Sequence, residues 1–216
     1  MNVLGYPEAY KTGWKGFYRR EFAVNKDVLV PRPETEHLVE EAIEFLRTQQ
    51  KHKVLDVGTG SGAIACTIAA EVSSAIVDAT DISVHAFEVA RRNAERIGVI
   101  DRCRFILADI AQPGSRYDLI VANLPYIPTA DVPRKPDPVA FEPRVAVDGG
   151  ADGLEQYRKL LAIAPALSNP SALLLLEAAP PTMHALRTLA AAAFPGAQLS
   201  VGFDYSGLER FLRIFS

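Results

Sequence analysis

The chain has 216 residues, of which 49% are hydrophobic and 23% are charged, as in ordinary globular proteins. This length is sufficient for one α/β domain with a substantial core. The formal net charge of -3 and the isoelectric point near 5.8 exclude a global positive field that would gather nucleic acid, and leave open only a local basic patch. We therefore expect a protein or small-molecule substrate, and nucleic acid is not favoured.

Cysteine usage and hydropathy exclude several other classes of protein. Cys66 and Cys103 are far apart in sequence, and they form neither a C-x-x-C pair nor a cluster with the histidines, so we expect no disulfide framework and no metal site. The first residues lack the uninterrupted apolar core of a signal peptide, and no run approaches the roughly 18 apolar residues of a membrane span. We expect a cytoplasmic protein.

Residues 1–32 are rich in aromatic residues and glycine, and they end in an apolar run before Pro31. This segment is too short and irregular for a domain, and exposed aromatics at this density would favour aggregation. We predict a lid or hairpin packed on a main domain of residues 33–216. A helix is predicted from Pro33 to about Gln49, because proline suits a first helical turn and apolar residues recur at helical spacing.

The next segment combines a predicted strand, Lys53–Val57, with a glycine-rich loop and a helix over residues 63–72. The loop consists of Gly58, Thr59, Gly60, Ser61 and Gly62, and Asp56 lies just before it. Glycines permit positive φ and let a ligand approach the helix N-terminus closely, although a plain tight turn is the alternative. A second strand, over 75–80, ends at Asp81, where an acid can accept from both hydroxyls of a ribose. The combination indicates a nucleoside ligand.

Apolar runs separated by turn residues continue this alternation to the end of the chain. They predict a helix over 84–97 ended by Gly98, strands over 103–108 and Tyr117–Ala122, a helix over 154–164, a strand over 172–176, a helix over 183–194, and strands Gln198–Phe203 and Glu209–Phe215. Such alternation predicts a doubly wound α/β sheet in which the first and fourth strands are neighbours. Residues 127–152 are predicted as a long functional loop, while Arg210 and Arg213 are predicted as solvated charges.

Asn123, Leu124, Pro125 and Tyr126 follow the strand Tyr117–Ala122 at the sheet edge where α/β proteins bind ligands. The Asn123 side-chain oxygen and the Leu124 carbonyl are two close acceptors, and Pro125 cannot donate, so the pair suits an NH2 group. The Tyr126 ring can lie along a planar amide or base. An ordinary turn is the alternative, but we expect Gly58 and Asn123 to face each other across one crevice.

Two motifs resemble those of a known superfamily. Residues 56–62 (DVGTGSG) with Asp81 resemble the cofactor-binding half of the Rossmann-like, seven-stranded class I S-adenosylmethionine-dependent methyltransferases, and residues 123–126 resemble their N-P-P-Y signature. Residues 28–36 (VLVPRPETE) and 142–154 (EPRVAVDGGADGL) are similar to the HemK family of protein glutamine N5-methyltransferases, which act on peptide chain release factors. The match runs from about residue 9 to the end of the chain.

The resemblance implies S-adenosylmethionine as cofactor and a release factor as protein substrate. It places at the cofactor Asp56, Gly58, Thr59, Gly60, Ser61, Gly62, Asp81, Ile82, Asp109, Ile110 and Asn123, and at the substrate glutamine Asn123, Leu124, Pro125 and Tyr126. Leu124 stands where the family has proline, and Asn-Leu-Pro-Tyr is also found in the rRNA adenine dimethyltransferases. The family's helical N-terminal domain is not recognised, as in short members that lean on a partner subunit. Two alternatives are an adenine N6-methyltransferase on RNA or DNA, and a non-catalytic cofactor-binding subunit.

Overall fold

The computed structural model describes residues 4–49, 52–111 and 114–216. Its helices are α1 (Glu8–Thr12), α2 (Thr35–Gln49), α3 (Ala63–Glu71), α4 (Val84–Ile97), α5 (Arg144–Val147), α6 (Glu155–Leu167) and α7 (Pro180–Ala193). Its strands are β1 (Trp14–Phe17), β2 (Arg20–Ala23), β3 (Lys53–Val57), β4 (Ile76–Asp81), β5 (Cys103–Leu107), β6 (Tyr117–Ala122), β7 (Ser168–Glu177), β8 (Gln198–Phe203) and β9 (Glu209–Phe215).

Seven strands form one sheet in the order β5-β4-β3-β6-β7-β9-β8. The strands from β5 to β7 pair in parallel, whereas β9 runs antiparallel to both β7 and β8. The winding reverses between β3 and β6, so the predicted doubly wound sheet and the predicted contact between these two strands are confirmed. Strand ends at such a reversal leave a crevice in which α/β proteins bind ligands.

The central strands read as nearly continuous apolar runs because both faces of the sheet are covered. Val54 and Leu119 face the layer that contains α2 and α3, while Leu55 and Ile120 face the layer that contains α6 and α7. All four side chains are fully buried. The sheet is therefore clamped between two apolar layers, which fixes the positions of its strand ends.

The predicted bounds match the structure closely at β3, β6, β8, β9 and α4, and differ most at α6, β7 and α7. The helix α6 runs through Pro165 to Leu167, and α7 begins at Pro180, where a missing N–H does not weaken the first turn. Residues 127–152 are not one continuous loop, because they contain 3₁₀ helices Thr129–Asp131 and Pro138–Phe141 as well as α5.

The prediction that Arg210 and Arg213 are solvated strand charges is wrong. Arg210 lies 2.7 Å from Asp204 in an ion pair on the β8–β9 hairpin. Arg213 pairs with Glu41 of α2 and donates to the carbonyl of Val201 at 2.9 Å. Both acids come from other elements of the fold, so the pattern within β9 could not reveal them.

The N-terminal residues form an antiparallel hairpin, β1–β2, that packs onto the sheet domain. Phe17 and Phe22 are buried in its interface with the core. Asn93 of α4 accepts from the Ala23 N–H at 2.8 Å and donates to the carbonyls of Ala23 and Ser61 at 3.0 Å and 2.8 Å. One buried amide thus ties the hairpin to the glycine-rich loop. No helix in the described part of the chain has both the length and the apolar character required to cross a membrane.

Candidate active site

The glycine-rich loop turns sharply between β3 and α3. Gly58, Gly60 and Gly62 have φ values of +72°, +55° and +78°, which only glycine adopts at little cost. The amides of Gly58 and Thr59 both donate to the Thr80 carbonyl, at 2.9 Å and 2.8 Å. A Cβ on Gly60 would find its nearest neighbour 4.0 Å away, so the loop backbone at this residue is open to the space beside it.

Asp56 stabilises the glycine-rich loop from inside the core. Its Oδ2 accepts from the Thr59 hydroxyl at 2.7 Å and from the Ala65 amide at 3.2 Å, while its buried Oδ1 has no partner within the described residues. Burial raises the pKa of Asp56 to about 7, and the charge of Asp81 adds to this effect. Asp56 therefore holds the loop against α3 and does not itself line the crevice.

Asp81 ends β4 on the other side of the loop. Its Oδ2 accepts from the Gly60 amide at 2.9 Å and its Oδ1 accepts from the Ser83 amide at 2.8 Å. Burial raises the pKa of Asp81, whereas these backbone hydrogen bonds lower it. Each carboxylate oxygen keeps a further lone pair, so Asp81 can still accept from two hydroxyl groups of a ligand.

A cavity of about 650 Å³, open solvent included, lies between the loop, Asp81 and residues 27–35. Its walls also include Asn123 and, from α5, Val145 and Ala146. Gly58 and Asn123 thus lie at the same crevice, as the sequence predicted.

The orientation of Asn123 is set by its neighbours. Its Nδ2 donates to the Thr35 hydroxyl at 3.1 Å, and the buried carboxyl of Glu177 lies close enough for the Asn123 amide to lower its pKa. The nitrogen side of the Asn123 amide is therefore turned towards Thr35. Oδ1 of Asn123 is left as the group available to the crevice.

The carbonyl of Leu124 is the second predicted acceptor. The Leu124 amide donates to the Tyr157 hydroxyl at 3.2 Å, and that hydroxyl donates to the backbone carbonyl of Glu177. The Tyr157 hydroxyl also lies 3.4 Å from the Leu124 carbonyl, but its single proton is already committed to Glu177. The Leu124 carbonyl therefore keeps its accepting capacity, while the Leu124 side chain is buried.

A second cavity of about 460 Å³, open solvent included, adjoins the first. It is lined by Leu29, Arg32, Asn123, Leu124, Pro125, Tyr126, Ile127, Val139, Glu142, Ala146 and Val147. Leu29, Arg32, Asn123 and Ala146 also line the larger cavity. Asn123 consequently lies on the wall that the two cavities share, with Pro125 and Tyr126 on the side of the smaller one.

Glycines of the 142–154 stretch support the wall of this smaller cavity, a role that sequence reasoning missed. A Cβ on Gly149 would lie 2.6 Å from the Pro125 carbonyl oxygen, and one on Gly153 would lie 2.3 Å from that of Tyr126. The Gly149 amide also donates to the Ile127 carbonyl at 2.8 Å. The G-G-x-x-G spacing was the available signal, because such spacing marks close approach of two backbones.

An ion pair between half-buried Arg32 and buried Glu142 joins the two stretches that gave the narrower resemblance. The Arg32 guanidinium donates to Oε2 of Glu142, and Oε1 of Glu142 accepts from the Val30 amide at 3.1 Å. Burial raises the pKa of Glu142, and the Arg32 charge opposes that rise. The pair fixes residues 28–36 over both cavities. No local sequence pattern reveals this pair, because 110 residues separate its members.

The remaining predicted cofactor residues lie beside the crevice and outside the two sets of lining residues. Ile82 is exposed beyond Asp81, and Asp109 forms an ion pair with Lys159 at 3.3 Å. Ile110 is buried, and its carbonyl accepts from the Thr80 hydroxyl at 2.6 Å. Gly62 packs against α4, because a Cβ there would lie 3.1 Å from that of Ala90. Roles for these residues at a cofactor stay predictions.

The sequence is similar to that of characterised methyltransferases. A family model described as a methyltransferase small domain matches residues 37–133. The chain is 43% identical to the release factor glutamine methyltransferase of Moorella thermoacetica over 96% of its own length and 74% of that protein. It is 39% identical to the Bacillus subtilis protein of the same name, over 97% of this chain and 75% of that one.

Solved structures of other methyltransferases share the fold. A methyltransferase from Pyrococcus furiosus matches with a TM-score of 0.62 and 21% identity, over 90% of this chain and 87% of that chain. The T. thermophilus 16S rRNA N2 G1207 methyltransferase, in complex with AdoMet and guanosine, matches with a TM-score of 0.65 and 18% identity, over 94% of this chain and 49% of that one. At these identities the likeness concerns the fold alone.

Proposed function

The chain belongs to the family of release factor glutamine methyltransferases, and from that premise we propose that it methylates the side-chain amide nitrogen of the glutamine in the Gly-Gly-Gln motif of a release factor, with S-adenosylmethionine as methyl donor. The observation that carries this proposal is the position of Asn123 on the wall shared by the two cavities. A donor in the larger cavity and an amide in the smaller one would meet at this residue.

The residues of the larger cavity fit S-adenosylmethionine. The open backbone at Gly60 leaves room for close approach of a ligand, and the free lone pairs of Asp81 suit the two hydroxyls of a ribose. The fold is that of the class I S-adenosylmethionine-dependent methyltransferases. When bound, the cofactor supplies an electrophilic methyl group on a sulfonium sulfur. The chain's own contribution is to hold that group at the boundary with the smaller cavity.

In the smaller cavity, Asn123 and Leu124 are proposed to orient the substrate amide. Oδ1 of Asn123 and the Leu124 carbonyl would each accept one N–H bond of the glutamine side chain, and the Tyr126 ring would lie along its planar amide. Holding both N–H bonds fixes the direction of the nitrogen lone pair. Such alignment reduces the entropic part of the barrier.

The same two acceptors are proposed to stabilise the transition state. An amide nitrogen is a weak nucleophile because its lone pair is delocalised into the carbonyl. As the nitrogen becomes tetrahedral and positive, its N–H groups become stronger donors, so acceptance by Asn123 and Leu124 strengthens during the reaction. The product nitrogen is acidic enough to lose its proton to water, and the chain need not supply a strong base.

Charge near the smaller cavity favours a protein substrate over a polyanion. Between positions 127 and 147 the basic residues Arg134, Lys135 and Arg144 are balanced by Asp131, Asp137 and Glu142. Two of the three cations are already engaged: Arg144 lies 2.7 Å from Asp148, and the Lys135 ammonium lies 4.5 Å from the Phe141 ring centre. A phosphate backbone would need several free cations here.

Mass spectrometry of a release factor incubated with the protein and S-adenosylmethionine tests the proposal. We expect one added methyl group on the glutamine of the Gly-Gly-Gln motif, and none when that glutamine is replaced by alanine. Methylation of adenine in RNA with an unmodified release factor would reverse the assignment. Cofactor binding by calorimetry without transfer to either substrate would instead support the non-catalytic subunit.

Salt dependence separates the two enzyme readings independently. Because positions 127–147 carry no net charge, binding of the release factor should change little between low and moderate salt. An enzyme that neutralises several phosphates would lose orders of magnitude in affinity over the same range. A shortfall in release-factor affinity that a second protein subunit corrects would support the predicted partner subunit.

A further inference from the structure

The proposed role of Asn123 requires its amide to face the crevice with the oxygen and not with the nitrogen. The two orientations of an asparagine side chain differ little in shape, so hydrogen-bond partners on the opposite side must select between them. With Nδ2 towards the substrate, two NH2 groups would oppose each other and neither could accept. The orientation of Asn123 is therefore a requirement for activity and not a detail of packing.

Thr35, the first residue of α2, lies behind Asn123. Its side chain is buried, and its Oγ1 accepts from Nδ2 of Asn123 at 3.1 Å. A hydroxyl carries one proton and can accept as well as donate, so Thr35 alone would permit either amide orientation. Its own proton must be drawn away before it acts only as an acceptor towards Asn123.

Glu177, at the end of β7, provides that acceptor. It is only 3% exposed, and its carboxyl lies close enough to the Thr35 hydroxyl and the Asn123 amide for both groups to lower its pKa. Its Oε2 is buried without a hydrogen-bond partner among the residues described. A buried carboxylate with spare accepting capacity attracts protons from both neighbours.

We propose that Thr35 and Glu177 are positioning residues that together fix the amide of Asn123 with Oδ1 towards the substrate. Thr35 accepts one proton of Asn123. In the proposed arrangement, the spare accepting capacity of Glu177 takes up the Thr35 proton and the second Asn123 proton. This inference rests on the proposed function, since the orientation matters only if Asn123 receives N–H groups. Neither residue was expected at the site from the sequence.

The direction in which these hydrogen bonds run, from Asn123 through Thr35 to Glu177, depends on the charge of Glu177. Burial raises the pKa of Glu177 to about 7. Thr35 and Asn123 and the charge of Arg210 lower it, and the charge of Glu34 raises it. Arg210 lies on β9 and Glu34 lies in the segment before α2. The charge of Glu177 in turn raises the pKa values of two tyrosines, Tyr126 after β6 and Tyr157 on α6. A protonated Glu177 can donate to Thr35, which then donates to Oδ1 of Asn123 and turns Nδ2 towards the substrate.

Substitution of Thr35 gives the first test. Thr35→Val removes the hydroxyl at nearly constant volume, and we expect kcat at saturating concentrations of both substrates to fall by about tenfold or more. Thr35→Ser keeps the hydroxyl and should retain most of kcat. Equal kcat values for the valine and serine variants would overturn the proposal, as would a valine variant with unchanged kcat.

The pH profile of kcat tests Glu177. The unmodified enzyme should lose activity as the pH falls through the range in which Glu177 takes up a proton. Glu177→Gln has no such ionisation, so its kcat should be lower near pH 8 but should lack that acid limb. A glutamine variant with the same acid limb as the unmodified enzyme would remove Glu177 from this role.

A measurement that does not require turnover keeps this inference distinguishable from the proposed function. In protein with ¹⁵N-labelled asparagine, the side-chain amide resonances of Asn123 should shift between about pH 5.5 and 8.5. They should not shift in Glu177→Gln. Asn123 resonances that ignore pH in the unmodified protein would refute the proposal, whether or not a release factor is the substrate.

Discussion

At the scale of single residues, Asn123 donates to Thr35 inside the protein and keeps its side-chain oxygen available on the crevice side. Asn123→Ala removes an acceptor whose hydrogen bond should strengthen in the transition state. Loss of one such group typically costs about 10² to 10³ in rate, or roughly 3 to 4 kcal/mol, so we expect at least this loss in kcat with the fold retained. Steady-state kinetics at saturating concentrations of both substrates measure it.

Asn169 offers a matched control for this substitution. It lies near the start of β7, at the end of the strand remote from Glu177, and its Nδ2 donates to Asp118 at 2.9 Å. Asn169→Ala should leave kcat within about twofold of the unmodified enzyme. If Asn123→Ala kept near-normal turnover, Asn123 would have no role in catalysis and would serve only to form the turn after β6.

Asp81 carries the second prediction at this scale. Asp81→Ala removes both proposed acceptors for the ribose hydroxyls and also the acceptor for the Gly60 amide. We expect S-adenosylmethionine to bind more weakly by roughly 1.5 to 3 kcal/mol, as measured by calorimetry. Asp101→Ala should cost less than about 1 kcal/mol, because Asp101 is exposed and lies before β5, at the end of that strand away from the crevice. Similar losses for the two variants would argue against a special role for Asp81.

At the scale of elements, the tight turn of the β1–β2 hairpin carries backbone strain. Tyr18 and Arg19 have φ values of +44° and +61°, in the left-handed region that favours glycine. Because the Arg19 side chain is exposed, we expect its contacts to offset little of the free energy of this backbone strain.

Arg19→Gly should therefore stabilise the protein. Relief of a left-handed L-residue is worth about 1 to 2 kcal/mol, and the greater freedom of glycine in the unfolded chain offsets about 0.4 to 1 kcal/mol of it. We expect a net gain of roughly 0.5 to 1 kcal/mol in the free energy of unfolding, measured by urea denaturation. Lys15→Gly, on β1, should be destabilising in the same assay, because its position needs no positive φ. A stability loss in Arg19→Gly would show that the side chain contributes more than its exposure indicates.

At the scale of the whole molecule, two fully buried carboxyl groups influence how stability depends on pH. Burial raises the pKa values of Asp56 and Glu177 to about 7 in the folded protein, well above the values of exposed carboxyls. The folded state thus binds more protons than the unfolded state between about pH 4 and pH 7. Their contribution to stability is present below that window and is lost as the pH rises through it.

Asp56→Asn removes one of these ionisations. Between about pH 5 and pH 8, the unmodified protein should lose more free energy of unfolding than the variant, by at least about 1 kcal/mol. Urea denaturation at both pH values measures the difference. Asp152→Asn is the control, because its pairing with Arg158 lowers the pKa of Asp152 to about 2, outside this window. Identical slopes for the unmodified protein and Asp56→Asn would mean that Asp56 stays charged at neutral pH.

The sequence by itself determined the alternation of strands and helices, the doubly wound sheet, and the meeting of Gly58 and Asn123 at one crevice. These features follow from local causes: apolar periodicity fixes the elements, and the crossover rule fixes which strands are neighbours. The spacing of the glycines likewise predicted the turn after β3, because that turn requires positive φ values that few other residues adopt.

Only the tertiary structure decided which polar groups meet. Glu142 pairs with Arg32, which lies 110 residues earlier in the sequence. Glu177 at the end of β7 lies near Thr35 of α2 and Asn123 after β6. In sequence, a charged residue that forms an ion pair looks the same as one on a solvated surface, as the wrong prediction for Arg213 shows. Folding brings these charged and polar side chains together, and burial then changes the pKa values of the carboxyl groups among them. The orientation of Asn123 therefore depends on contacts that no local sequence pattern contains.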